Sequence, residues 1–429
     1  MTRHGLLLAV ACLAVLAGCA GIAGEDRIGY ENGYAWDDSL NVTQADGLNA
    51  TEREAVLART MARLEHLRGL EFTESVDIRL ESREAFRENQ SSDPNATHAA
   101  WNNQVWEALW LVGGDRDVHE VFDEAFGTRV AGYYSPGSNE VVIVTDSETP
   151  RISRSTLVHE LVHALQDQQF GLDDAPDRQD AQLARNGVVE GEANRLQTTY
   201  ARRCADDWEC LAPGGVAGGG GSLGPYGENV FTVIFFPYAQ GPDFVGAIAD
   251  RGGNAALDDL YDPYPTSTTA IIHPETYPGE SPVDVTVPDR SRGDWGRFDH
   301  DPVADTAGEA SIFAMVQAND LGEVTAARYS YSHPVSTGWV GDSLVPYRDG
   351  DRYGYVWTTA WDARTDAEDF HAAYEQVLRE AGARGLDGNR YRLPADHPWG
   401  GGYRLALDGR RVTVVHGPTT AALDRIHPP

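Results

Sequence analysis

The sequence predicts an α+β protein in two lobes, and three observations carry that prediction. Apolar residues recur at helical spacing through much of the first half, two apolar runs joined by a Pro-Gly turn mark a β-hairpin, and a nearly all-glycine stretch at 213–224 precedes a strand-rich remainder. With 429 residues, 41% of them hydrophobic and ten of them tryptophan, the chain can bury cores and is not a disordered acidic tail.

The elements follow in order. Residues 1–18 have the form of a signal peptide, a basic start and an apolar run too short to span a bilayer as a helix. The run ends Leu16-Ala17-Gly18-Cys19, which resembles a lipobox, so Cys19 is expected to carry a lipid anchor; the alternative is plain cleavage after Ala23. Residues 19–48 hold the anchor and an extended segment, 25–48, that mixes aromatic and polar types without period. The first lobe, 49–212, opens with a capping box at Thr51-x-x-Glu54 and a helix carrying Leu57, Met61 and Leu64 to a stop at Gly69. A strand is expected at 72–80 and helices at 96–112 and 117–126, with Trp101, Trp106 and Trp110 as core. Runs 130–134 and 140–144 flank Ser135-Pro136-Gly137-Ser138, the signature of a type II turn. Helices follow at 153–168 and 180–202. After the linker, the second lobe, 225–429, is expected to hold apolar helices at 231–238 and 244–249, strands at 339–345, 354–357, 403–407 and 411–415, and a helix at 367–380.

Charge excludes one class of partner. All 34 basic groups are arginine, against 66 acidic ones, a net charge of −32 that repels phosphate, so no nucleic-acid partner is expected. At 1 M salt the Debye length is about 3 Å and crowded carboxylates hardly feel one another. Acid-rich, lysine-free chains resemble those of halophilic archaea. Sequons at Asn41, Asn49, Asn89 and Asn95 fit a glycosylated, cell-surface location, where Cys204 and Cys210 read as a disulfide. Two cysteines are too few for a closed structural zinc site.

The chemistry is concentrated in Thr156-Leu-Val-His159-Glu160-Leu-Val-His163. Histidines at i and i+4 share a helix face, so both imidazoles can reach one Zn²⁺, while Glu160 projects beside them as a base for water. Downstream runs Asn186-Gly-Val-Val-Glu190-Gly-Glu192-Ala-Asn194. In this pairing the chain resembles the gluzincin metallopeptidases, whose third ligand is a glutamate on a following helix. The resemblance implies a zincin-like core of hairpin, HExxH helix and glutamate-bearing helix, with one zinc on His159, His163 and Glu190. It also implies that Asn194, one turn on from Glu190, orients an imidazole. Glu192 is the competing ligand, disfavoured because it lies about 200° around the helix. Gln166 and Gln169 stand where a metzincin would need glycine and histidine.

Tyr238 or His273 is a candidate hydrogen-bond donor to the oxyanion. The expected function is a cell-surface zinc peptidase acting on peptide or protein substrates, touching the membrane only through its anchor, with oligomeric state left open. The alternatives are a non-catalytic surface module with a vestigial or structural zinc site, and a metal-dependent hydrolase of a non-peptide bond.

Overall fold

The computed structural model describes residues 27–90, 95–126, 130–214, 223–279, 281–321 and 329–429. The expected signal peptide, Cys19 and most of the glycine-rich stretch lie outside the described residues. The protein is α+β.

Two short strands, β1 (Tyr30–Glu31) and β2 (Tyr34–Ala35), lie against α1 (Ala50–Arg68). Asn49, not Thr51, caps α1: its side chain accepts from Glu52 N at 3.1 Å and its own N donates to the Glu52 carboxylate at 2.9 Å. Both tetrads have the box spacing, but buried Leu48, bonded to the Pro150 carbonyl, fixes the chain just before the earlier one. After β3 (Asp77–Glu81) come α2 (Arg83–Gln90), α3 (Ala96–Ala108) and α4 (Val118–Phe126), then the hairpin strands β4 (Gly132–Ser135) and β5 (Glu140–Val144). β5 pairs parallel with β3 and antiparallel with β4, which leaves β4 at the sheet edge.

The hairpin turn is not type II. Pro136–Ser138 forms a short 3-10 turn, and Asn139 takes the left-handed conformation (φ 51°) that a type II turn would have given Gly137. Side-chain bonds explain the choice: Asn139 Nδ2 donates to the Ser75 carbonyl, while its Oδ1 accepts from Tyr134 and Gln168.

Helices α5 (Arg154–Phe170) and α6 (Gln179–Asp206) follow, then α7 (Gly224–Ile234) and α8 (Phe236–Asp258). The break expected between 238 and 244 falls at Phe235 instead, because Pro237, with no N–H to give, starts a helix better than it continues one. α9 (Thr268–Ile272), β6 (Gly296–Arg297) and α10 (Gly308–Ala318) lead into β7 (Trp339–Asp349), β8 (Arg352–Trp361), α11 (Arg364–Glu380), β9 (Arg384–Leu386), β10 (Arg390–Leu393), β11 (Gly401–Asp408), β12 (Arg411–Gly417) and α12 (Leu423–Ile426). These strands form one antiparallel sheet in the order β6-β7-β8-β12-β11-β10-β9. Phe370 and Tyr374 of α11 cover it over Trp357 and Trp361.

Packing does not divide at 213–224. One core joins α1, β5, α5 and the later half of α6; a larger one joins α3, α4, α7, α8, α10 and the large sheet. Trp101, Trp106 and Trp110, in the first lobe by sequence, are buried in the larger core, which also holds Val230 and Trp357. Glycines mark where a chain has nothing to bury, not which distant elements their neighbours join.

Helix α6 serves both cores, through Leu183, Val188 and Val189 on one side and Ala193, Leu196 and Tyr200 on the other. It meets α8 through glycine: a Cβ on Gly191 would stand 2.5 Å from the Gly241 carbonyl, and one on Gly241 would stand 2.3 Å from the Gly187 oxygen. Cys204, in the last turn of α6, is disulfide-bonded to Cys210 beyond it, with their Cα atoms 5.6 Å apart. No described helix is long and apolar enough to cross a membrane.

Candidate metal centre

Ser153 starts α5 by accepting from Thr156 N, and Leu157, Leu161 and Leu165 bury one face of the helix in the smaller core. That orientation turns His159 and His163 toward α6. Their Nε2 atoms are 3.1 Å apart, and Glu190 Oε2 lies 3.0 Å from His159 Nε2 and 3.5 Å from His163 Nε2. Among the described residues, these three are the one group of His, Cys, Asp or Glu side chains whose ligand atoms all lie within 4.8 Å of one another. Burial opposes the charge on Glu190, but His163 and His159 outweigh it and hold the carboxyl well below its usual range. Burial likewise depresses His163, and Glu190 beside it lifts the ring further, to about 9. Two imidazole nitrogens and one anionic oxygen suit a borderline cation such as Zn²⁺, with a fourth position for water.

Glu160 occupies the same region without joining that set. Its Oε2 accepts from Tyr134 N of the edge strand β4 at 3.0 Å. Burial raises its carboxyl, against the opposing pull of His163 and His159. A carboxyl raised in this way is a better proton acceptor than an ordinary one.

A partner that the motif alone does not announce holds His163. Gln166 Oε1 is 2.9 Å from His163 Nδ1, so with the ring uncharged its proton sits on Nδ1 and Nε2 keeps a lone pair for a metal. The Gln166 amide is fixed in turn by donating to the Val189 carbonyl and the Tyr261 hydroxyl. Spacing of i and i+3 on one helix was the available signal for this contact. Glu192, the rival ligand, is committed elsewhere: it is buried in an ion pair with Arg68 and accepts from Tyr261 and Gln166. Asn194 does not orient an imidazole. Its Nδ2 donates to the Glu190 carbonyl at 3.0 Å, because an amide one turn on from Glu190 reaches the main chain of its own helix first.

Tyr238, carried by α8, comes to the centre. Its ring lies 6.3 Å from that of His159, and burial followed by the nearby Glu190 raises its phenol far above the usual range, so it stays a donor. His273 does not come there. Its Nε2 is 3.0 Å from Glu309 Oε1, and it lines a separate cavity with Thr337 and Asp362. The short helix α9, capped by Ser267, ends at His273 and turns it toward α10.

All four sequon asparagines, Asn41, Asn49, Asn89 and Asn95, are exposed, and the caps made by Asn49 and Asn95 use Oδ1, not the nitrogen a glycan would occupy. Asn89 Nδ2 instead donates to Glu81.

A family model described as a domain of unknown function, DUF8575, matches residues 296–427. That stretch covers the large sheet with α10 to α12 and holds none of the residues of the centre. No curated protein and no solved structure matches the chain.

Proposed function

We propose that the chain is a zinc-dependent peptidase with a zincin-like core, acting through one Zn²⁺ on His159, His163 and Glu190. The observation that carries the reading is the convergence of two Nε2 atoms and one carboxylate oxygen from two helices, with Glu160 beside them and held by an edge strand. Zinc, when bound, supplies Lewis-acid polarisation and lowers the pKa of water toward about 7. Glu160 takes the proton of the attacking water and passes it to the departing amine, a task suited to a raised carboxyl. Tyr238 donates to the oxyanion as it develops. β4 offers its outer edge to an extended peptide, which would add to the sheet as a strand.

The same reading keeps the protein on the outer cell surface, tethered through Cys19, with glycans at the exposed sequons and a salt-adapted acidic surface. Elemental analysis of protein purified in molar salt should find one zinc, and His163→Ala should lose it. Fluorogenic-peptide hydrolysis should stop with a chelator and return with zinc. A His163→Ala protein that keeps one equivalent, or hydrolysis indifferent to the chelator, would refute the proposal.

A further inference from the structure

A cavity of about 410 Å³ adjoins the centre, within the ~300–1,000 Å³ of ligand pockets, and Glu190 and Tyr238 form part of its wall. Trp101, Trp106 and Leu183 give it an apolar side, while His98, Gln182 and Asn186 are among the polar groups on the rest of its wall.

A chain of hydrogen bonds fixes the proton on His98. His300 Nδ1 is 2.8 Å from the Pro302 carbonyl oxygen, and His98 Nδ1 is 2.9 Å from His300 Nε2. A carbonyl can only accept, so an uncharged His300 carries its proton on Nδ1 and offers Nε2 as an acceptor. His98 must then donate from Nδ1, and its Nε2 is left with a lone pair. Burial first, then His300 and His119, hold His98 below the ordinary imidazole range, which keeps the ring uncharged at neutral pH. Trp101 stacks on His300 with ring centres 4.3 Å apart, so the pair cannot swing independently of the aromatic wall.

We propose that this cavity receives a substrate side chain that is flat and apolar with a hydrogen-bond donor at its tip, namely tyrosine, whose hydroxyl donates to His98 Nε2. This rests on the peptidase reading of the adjoining centre. Phenylalanine would cover the same indoles but displace water from His98 without replacing its hydrogen bond, and a site built around such a bond discriminates against the analogue that lacks it.

Binding can be measured without hydrolysis. Dissociation constants of N-acetyl-L-tyrosinamide and N-acetyl-L-phenylalaninamide for the full chain, in molar KCl with a chelator, are read by ligand-observed NMR. The tyrosine compound should bind about tenfold tighter, the ratio one net hydrogen bond provides. His98→Phe should abolish the difference, and Leu183→Trp, which fills the cavity, should abolish binding of both. Equal affinities in the wild type overturn the proposal, as does a preference that survives His98→Phe or a wild type that binds neither compound. If His98→Phe fails to fold, Leu183→Trp decides: retained binding of either compound places the ligand elsewhere. A tyrosine preference in a protein that hydrolyses no peptide would overturn the catalytic reading alone and leave this one standing.

Discussion

Replacing Arg68 by methionine tests whether a buried ion pair holds the scaffold of the metal centre. Arg68 meets Glu192 with both side chains 2% exposed, and meets Asp258 at 2.6 Å, where the carboxylate side chain is 41% exposed. The two pairs are unequal. Solvent screens the second, which contributes about 0–1 kcal/mol. Losing the first leaves the Glu192 charge buried with only the Tyr261 hydroxyl and the Gln166 amide, a cost of about 3–5 kcal/mol. Arg68→Met is therefore expected to lose roughly 4 kcal/mol, a large part of the ~5–15 kcal/mol of a typical fold. Arg68→Met with Glu192→Met removes both charges and should recover most of that loss, giving a coupling of about 3 kcal/mol. Urea unfolding in molar KCl measures all the variants. Gln166 bridges Glu192 and His163, so the single variant should also weaken zinc binding by about 10–100-fold in a chelator competition. A single variant within about 1 kcal/mol of wild type, or a double variant as unstable as the sum of the singles, would refute the argument.

Other outcomes follow from the same geometry. Glu160→Gln should keep one zinc while hydrolysis falls by about 10²–10⁴-fold, whereas Glu190→Gln should lose zinc itself; elemental analysis with peptide assays separates the two roles. Low salt should unfold the protein, because 66 carboxylates then repel over a Debye length of about 30 Å at 0.01 M instead of about 3 Å at 1 M, and circular dichroism across a KCl series reads it. Burial pushes the carboxyls of Asp180 and Asp305 each up to about 7, above the ~3.9 of an unfolded chain. The folded state thus holds the extra protons, so their contribution to stability is full below about pH 4 and is lost as pH rises to about 7. Asp305→Asn should flatten that slope in urea midpoints taken across the window, and an unchanged slope would count against it.

Much of the centre was legible because its determinants are local. Two histidines four apart and a glutamate following a glycine-spaced run announce their geometry on any helix, and His159, His163 and Glu190 do converge. Local rules failed where two candidates shared one signature. Asn49 and Thr51 both head a capping box, and Gly137 and Asn139 were both able to turn the hairpin; in each case bonds from distant residues, Pro150 and Ser75, selected the one used. They failed again where the partner is remote in sequence. Nothing near His273 signals Glu309, and nothing near Trp101 signals His300, more than 190 residues away in the chain. Gln166 is the instructive case: its identity excludes a metzincin, and its i+3 spacing from His163 also implies the contact that the fold makes.

The glycine crossing of α6 and α8 has a consequence for how such a protein can change over time. Where helices touch through main chain alone, their separation is set by atomic radii, and no rotamer can widen or narrow it. Glu190 lies between Gly187 and Gly191, and Tyr238 lies three residues before Gly241, so carboxylate and phenol are indexed to one contact like two marks on a ruler. Leu183 and His98 are not among the atoms that meet at that contact, so replacing either leaves it in place. The cavity wall can therefore be refitted for another guest while the spacing of Glu190 and Tyr238 stays as it is.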